Sequence, residues 1–271
     1  MATVITIPGA YVFGYHTDNF GGKLFEAPNV RVPGAWNNFS ISDSSATTDM
    51  NNLDALMRDH LSDTADPLIV AGHSRGGQII YKWIRQKGPT SDIDPESVLF
   101  ISSGNPERKY GGRAYMRPDV NGSTYPGPSG GGAGVGYGIL ESTPYTVLDI
   151  NRQYDTWADY PNDWENPDAL AQLSGDIHST YSATPELGLD GYPVNRDEWS
   201  VYTEGNVTYL TAVTMLVNPA DRPMPFLARV FGGRCARNHN LQIGFDDQRI
   251  RTKVETAYVR PAPVLIPAKY R

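Results

Sequence analysis

An apolar run, Pro67-Leu68-Ile69-Val70-Ala71, breaks abruptly into Gly72-His73-Ser74-Arg75-Gly76-Gly77 and resumes as Gln78-Ile79-Ile80-Tyr81-Lys82-Trp83-Ile84. The first run is short and β-branched, as a buried strand is, while Ile80, Trp83 and Ile84 share one face of a helix. A strand can pass into a helix this quickly only through a very tight turn, and the glycines two places either side of Ser74 provide the room. Such a turn lifts the serine hydroxyl above the strand's carboxyl end and points the following helix N-terminus at any negative charge that develops beside it. A Gly-x-Ser-x-Gly pentapeptide alone is an ordinary glycine-rich turn; the strand before it and the helix after it make this one a nucleophile elbow.

The rest of the chain supplies a sheet around that turn. Thr3–Ile7 reads as a core strand stopped by Pro8-Gly9, and Val98–Ile101 as a strand after the elbow helix. The unit from Leu68 to Ile101 is strand, helix, strand, which calls for parallel pairing. Leu53, Leu56, Met57, His60 and Leu61 recur at helical steps between Asp43 and Ser62. Thr146–Ile150 and Val207–Val217 read as later strands, Pro167–Leu173 and Asp246–Tyr258 as later helices. The expected fold class is α/β, with a mostly parallel, doubly wound central sheet flanked by helices and long loops. With 271 residues, one domain over residues 1–271 is the simplest organisation.

Composition limits partners. The 27 Gly and 21 Pro require long loops. Residues 105–138, with Ser129–Gly138 close to low complexity, are expected to form a glycine-rich loop insertion, either a lid or a plain flexible segment. A net charge of −7 without a Lys/Arg block argues against nucleic acid as a partner. Cys235 is the only cysteine, so neither an intrachain disulfide nor a cysteine zinc site is expected, and packing is its simplest role. No basic and apolar leader opens the sequence and no run is long enough to span a bilayer. The expected protein is therefore not membrane-spanning, and a cytoplasmic setting fits. The glycine run contains no G-x-G-x-x-G, and Asp246-Asp247 reads as a helix cap rather than a metal site, so no metal or organic cofactor is implied.

A serine hydroxyl needs an imidazole to take its proton and a carboxylate to hold that imidazole in the right tautomer. Of His16, His60, His73, His178 and His239, the chain order serine, acid, histidine leaves His178 and His239. His178 is preferred over His239, which sits in a polar stretch; His73 is expected to be a structural neighbour and His60 a packing residue. The acid must follow a core strand, which selects Asp155, with Asp159 as runner-up and Asp149, inside the strand, less suitable. The Arg75 N–H is expected to be one oxyanion donor.

These residues resemble the cutinase-like serine esterases, and most closely the PE-PPE domain of mycobacteria and their relatives. The resemblance rests on the elbow, Ser103-Gly104-Asn105-Pro106, Gly111-Gly112, Tyr154-Asp155-x-x-Ala158-Asp159-Tyr160-Pro161, His178-x-x-Tyr181 and Gly205-Asn206-Val207-Thr208-Tyr209. It implies an α/β-hydrolase fold and a triad of Ser74, Asp155 and His178. The family's first oxyanion donor, in a Gly-Gly-Thr-like turn after the first strand, would fall on Ala10 in Pro8-Gly9-Ala10, here without the threonine hydroxyl. The elbow has His73 and Arg75 where the family usually has Tyr and Gln. The serine elbow and the Gly-Asn-Pro after the next strand are also similar to mycobacteriophage lysin B, an esterase that cleaves mycolic acid from arabinogalactan. The expected activity is hydrolysis of acyl esters, including mycolyl or other long-chain lipid esters of a mycobacterial or actinobacterial envelope, through an acyl-serine. The alternative is a catalytically silent hydrolase-fold module that binds an envelope or serves as a virion or phage-tail component.

Overall fold

The computed structural model describes residues 1–10, 20, 23–37, 43–64, 66–116, 142–173, 178, 181, 199–212 and 248–262. Among these residues seven strands occur: β1 (Thr3–Ile7), β2 (Val30–Pro33), β3 (Leu68–His73), β4 (Val98–Ser103), β5 (Thr146–Arg152), β6 (Trp199–Glu204) and β7 (Val207–Ala212). They form one sheet in the order β2-β1-β3-β4-β5-β7-β6. Every neighbouring pair is parallel except β6 and β7, which run antiparallel on either side of Gly205-Asn206. This is the mostly parallel α/β-hydrolase sheet expected from the sequence.

Strand alternation divides the core in two. Ile5, Val70, Phe100, Val147 and Tyr209 point to one face, where they pack with the elbow helix. Val4, Ala71, Ile101, Ile150 and Leu210 point to the other, with Phe20 and Phe25. The period of two places successive side chains on opposite faces, and in the central strands both faces are buried, so those strands read as largely apolar runs. On the first face lie α1 (Asp43–Asp63) and α2 (Arg75–Gln86). Ala46, Met50, Leu53 and Met57, at three- and four-residue steps, are the buried stripe of α1. In α2 every residue from Arg75 to Ile84 is buried, so this helix is enclosed on all sides. Trp83 joins it to the sheet by packing on Phe100 and Tyr145, while its indole N–H donates to Asp54 at 2.9 Å.

The remaining described helices are α3 (Arg113–Met116), α4 (Pro167–Gln172) and α5 (Gln248–Glu255). Asn166 caps α4 by accepting from the N–H groups of Asp168 and Ala169, both at 3.0 Å. Ala169 of α4 and Val254 of α5 enclose Tyr154 together with Ala257 and Tyr258. None of the described helices is long and apolar enough to cross a membrane.

Three details depart from expectation. Strands β2 and β6 were not anticipated; both are sheet edges, and in β2 no residue is fully buried, so its hydrophobic signal is weak. The stretch expected to be loop from residue 105 begins as packed structure: Asn105, Glu107 and Arg108 are buried and α3 follows. The glycine-rich run itself, residues 129–138, lies outside the described residues, as does everything after Ala212 in the predicted late strand.

Because β1, β3, β4 and β5 are parallel, their carboxyl ends share one edge of the sheet. The turns that follow them, at Gly9, Ser74, Gly104 and Asp155, therefore gather there, where open α/β sheets collect their functional loops.

Candidate active site

Ser74 joins β3 to α2 with φ 54° and ψ −113°. A non-glycine residue in this region costs about 1–3 kcal/mol and persists only where its surroundings hold it. They do so here in three ways. The Ser74 N–H donates to the Ser103 carbonyl at 2.8 Å, the Ser74 carbonyl accepts from the Gln78 N–H at 3.2 Å, and Gly76 lies so close to β1 that a Cβ there would stand 1.9 Å from the Ile7 carbonyl oxygen. From Val70 to Ile84 every residue is buried except Ser74. The hydroxyl is thus the one group that the turn presents outward.

The Arg75 side chain runs inward. Its guanidinium lies 2.6 Å from the Asp49 carboxylate of α1, with the two side chains 1% and 0% exposed, and it donates to Ser45 Oγ at 3.2 Å. Asp49 also accepts from the Asn37 backbone and side-chain amides, both at 3.0 Å. One ion pair therefore ties the elbow to α1 and to the segment after β2. The sequence marked Arg75 for its backbone amide alone; the partnership with Asp49 is non-local and carries no pattern in the chain.

Ser74, Asp155 and His178 are brought together. His178 Nε2 is 2.8 Å from Ser74 Oγ, and His178 Nδ1 is 2.9 Å from Asp155 Oδ2 and 3.0 Å from Oδ1. Both links lie within the reach that proton transfer needs. Asp155 follows β5 and is fully buried. Its Oδ1 accepts the N–H groups of Trp157 at 2.7 Å and Ala158 at 3.2 Å, and its Oδ2 accepts the Tyr181 hydroxyl at 2.6 Å. Burial alone would raise this carboxyl; the charge of His178 and the hydrogen bonds from His178, Tyr181 and Trp157 outweigh it and hold the group below the ordinary carboxylate value.

His73 is the structural neighbour that the sequence suggested. Its ring packs 4.9 Å from that of His178 and 5.1 Å from that of Tyr181, and its Nδ1 is 3.1 Å from Ser103 Oγ. Burial, then the nearby charge of His178, push it down to about 3, so it stays neutral. His178 therefore rests on an uncharged ring.

The alternatives fall elsewhere. Asp159 faces away and forms a two-point ion pair with Arg260, at 2.6 and 2.9 Å, while accepting the Tyr154 N–H at 2.8 Å. Arg260 also reaches Glu255 of α5 at 2.7 Å. Through Arg260, Asp159 thus clasps the acid loop to α5. Asp149 is buried with Arg108 and the Tyr81 hydroxyl, away from the imidazole. His60 lies half-buried on α1. His16, His239, Cys235 and Asp246-Asp247 lie outside the described residues. The two amides expected to donate to an oxyanion flank the elbow: Arg75 opens α2, and Ala10 follows Gly9, where a Cβ would stand 3.2 Å from Ser74 Cβ.

Two participants carried no role in the sequence reading. Tyr181 was part of a motif but had no assigned partner. Trp157 sets its ring 6.2 Å from that of His178, and the Arg113 guanidinium lies over the Trp157 ring at 5.0 Å from its centroid. Both act across loops, where no periodicity points.

Residues 23–187 of the chain match the PE-PPE domain. No curated protein matches it. Similar solved structures include a cutinase-like protein from Cryptococcus sp., 14% identical with a TM-score of 0.47, the match covering 71% of this chain and 91% of that one. Phospholipase PlaB from Legionella pneumophila is 15% identical with a TM-score of 0.35, over 56% of this chain and 38% of that one. The RedJ thioesterase from Streptomyces coelicolor is 14% identical with a TM-score of 0.35, over 94% and 84% of the respective chains. At such identities the likeness is one of fold, and no activity is transferred from it.

Proposed function

The chain belongs to the PE-PPE domain family, and from that premise we propose that it is a serine esterase or lipase that hydrolyses acyl esters through an acyl-Ser74 intermediate. The observation that carries the proposal is the unbroken chain Ser74 Oγ, His178, Asp155, with links of 2.8 and 2.9 Å.

In the first half-reaction His178 Nε2 takes the hydroxyl proton as Ser74 Oγ bonds to the ester carbonyl carbon. The carbonyl oxygen becomes negative and is met by the Arg75 N–H at the start of α2 and by the Ala10 N–H, where a helix N-terminus favours an anion. The intermediate then expels the alcohol, which leaves with the proton from His178. Water repeats the sequence on the acyl-enzyme: His178 accepts a water proton, the hydroxyl attacks, and Ser74 regains its hydrogen as the acid departs. Asp155 stays ionised throughout and stabilises the imidazolium. These steps use only side chains and backbone amides.

The substrate class is an acyl ester, with long-chain lipid esters, mycolyl esters of an actinobacterial envelope among them, as the natural candidates that the family resemblance suggests. A series of p-nitrophenyl acyl esters of increasing length tests both the activity and the chain preference. Turnover by the wild type with loss in Ser74→Ala is expected. Equal turnover by the two proteins would overturn the role of Ser74, while no turnover across the series and no covalent labelling of Ser74 would leave a hydrolase-fold module that binds without catalysing.

A further inference from the structure

We infer that Tyr181 is a positioning residue whose hydroxyl fixes the direction of the protons along the Asp155–His178–Ser74 chain; this rests on the esterase reading above. The hydroxyl has one proton and, among the described residues, two polar neighbours. The backbone N–H of Arg152, 3.1 Å away, can only donate, so the hydroxyl accepts there. Its own proton is thereby directed to Asp155 Oδ2 at 2.6 Å. The other carboxylate oxygen receives the backbone N–H groups of Trp157 and Ala158, which also can only donate.

Each oxygen of Asp155 is therefore engaged by a donor that cannot reverse. The carboxylate has no hydrogen to offer His178, so the bond at 2.9 Å is made by a hydrogen on Nδ1. Nε2 then carries its lone pair, facing Ser74 Oγ at 2.8 Å, which is the tautomer that can take the serine proton. The order runs from a main-chain amide of β5, through Tyr181 and Asp155, to the nucleophile. Burial keeps the Tyr181 hydroxyl protonated far above the ordinary tyrosine range, in line with a permanent donor.

Removing that donor leaves Oδ2 without its hydroxyl partner. The other groups around the ring do not change: neutral His73 packed beside it, Ser74 at Nε2, and Trp157 at its edge, with Arg113 over the indole. Tyr181→Phe therefore frees the imidazole to reorient while its other contacts stay in place.

The test is Tyr181→Phe, which keeps the ring packed 5.1 Å from His73. The kcat/KM for p-nitrophenyl butyrate is measured against pH in both proteins, with far-UV circular dichroism to confirm folding. The expected result is a plateau lowered about tenfold, the size of one hydrogen bond to a charged group, together with a low-field Nδ1–H resonance of His178 displaced from its wild-type position. A lowered plateau with an unmoved resonance would make Tyr181 a packing residue only, and an unchanged plateau would remove its role entirely. Where the variant does not fold, or the wild type proves inactive, the low-field Nδ1–H resonance of wild-type His178 at neutral pH, assigned by its loss in His178→Gln, gives the answer. Its absence overturns the proton order. An inactive wild type that still shows this resonance would refute the esterase reading while leaving the positioning of His178 standing.

Discussion

The backbone of Gly104 lies directly under the imidazole of His178: a Cβ at this position would stand 3.2 Å from His178 Cε1 and 2.8 Å from His73 Cε1. Gly104 also has a φ of 57°, a conformation that glycine adopts without strain. It follows β4, and its N–H donates to the Ile150 carbonyl at 2.9 Å. The Ser103-Gly104-Asn105-Pro106 motif therefore does more than end a strand. It keeps open the space that lets the histidine reach the serine.

Gly104→Ala should consequently damage activity more than stability. The methyl group pushes on both imidazoles, and a displacement of about 1 Å at the proton-transfer link is enough to cost ~10²-fold in rate. The positive φ adds a destabilisation of about 1 kcal/mol. Ester turnover together with a urea unfolding curve reads both effects. A variant with wild-type kcat would show that the glycine does not hold this space open.

The two acids next to the site should separate cleanly. Asp155→Asn keeps the shape of the loop while removing the charge that supports the imidazolium, and kcat is expected to fall about 10⁴-fold with little change in folding. Asp159→Asn breaks the ion pair to the buried side of Arg260 and is expected to destabilise by roughly 3 kcal/mol while leaving most of kcat. Steady-state kinetics and thermal unfolding of both proteins check this. The opposite assignment would be visible as a collapse of kcat in Asp159→Asn alone.

The elbow depends on a charge pair that lies behind it. Asp49→Asn leaves the Arg75 guanidinium, 1% exposed, without its carboxylate, and the expected loss is about 3–5 kcal/mol. Replacing both members with apolar residues of similar volume, as in Asp49→Leu with Arg75→Met, should restore much of that loss. Denaturant midpoints across this double-mutant cycle give the coupling directly.

Stability should fall as the pH drops from 7 towards 5. His73 is held at about 3 in the folded chain, against about 6.5 when unfolded. Between those values the unfolded chain binds the extra proton, so unfolding becomes easier as pH falls, by about 2 kcal/mol from pH 7 to pH 5. Asp155 acts lower down: its folded value lies beneath the unfolded one, so the stability it contributes is present above about pH 4 and fades as pH drops through the folded value. Urea midpoints at pH 7, 6 and 5 should decline in the wild type and flatten in His73→Gln. Parallel declines in the two proteins would show that His73 is not the source.

Much of this arrangement was legible in the chain because it is local or directional. The run Pro67–Ile84 shows a strand, a glycine turn and a helix within one short window, and β1, β4 and β5 are short runs rich in β-branched and apolar residues. Ser74, Asp155 and His178 were singled out by chain order and by position after strands, and these three lie within hydrogen-bond distance of one another. The remainder depends on contacts that sequence pattern does not encode. Nothing in Asp49 or Arg260 announces a partner, and β2 and β6 sit at edges where burial, and with it apolar periodicity, is slight. The obligate donors around Asp155 arise from backbone geometry, including a φ of 64° at Tyr154, which no residue type signals.

The most direct test of an activated Ser74 is covalent capture with a fluorophosphonate, followed by intact mass and peptide mapping. One adduct per chain, located on Ser74, absent in Ser74→Ala and slowed by orders of magnitude in His178→Gln, is the expected result. No adduct on the folded wild-type chain, or an adduct whose rate is indifferent to His178, would contradict it.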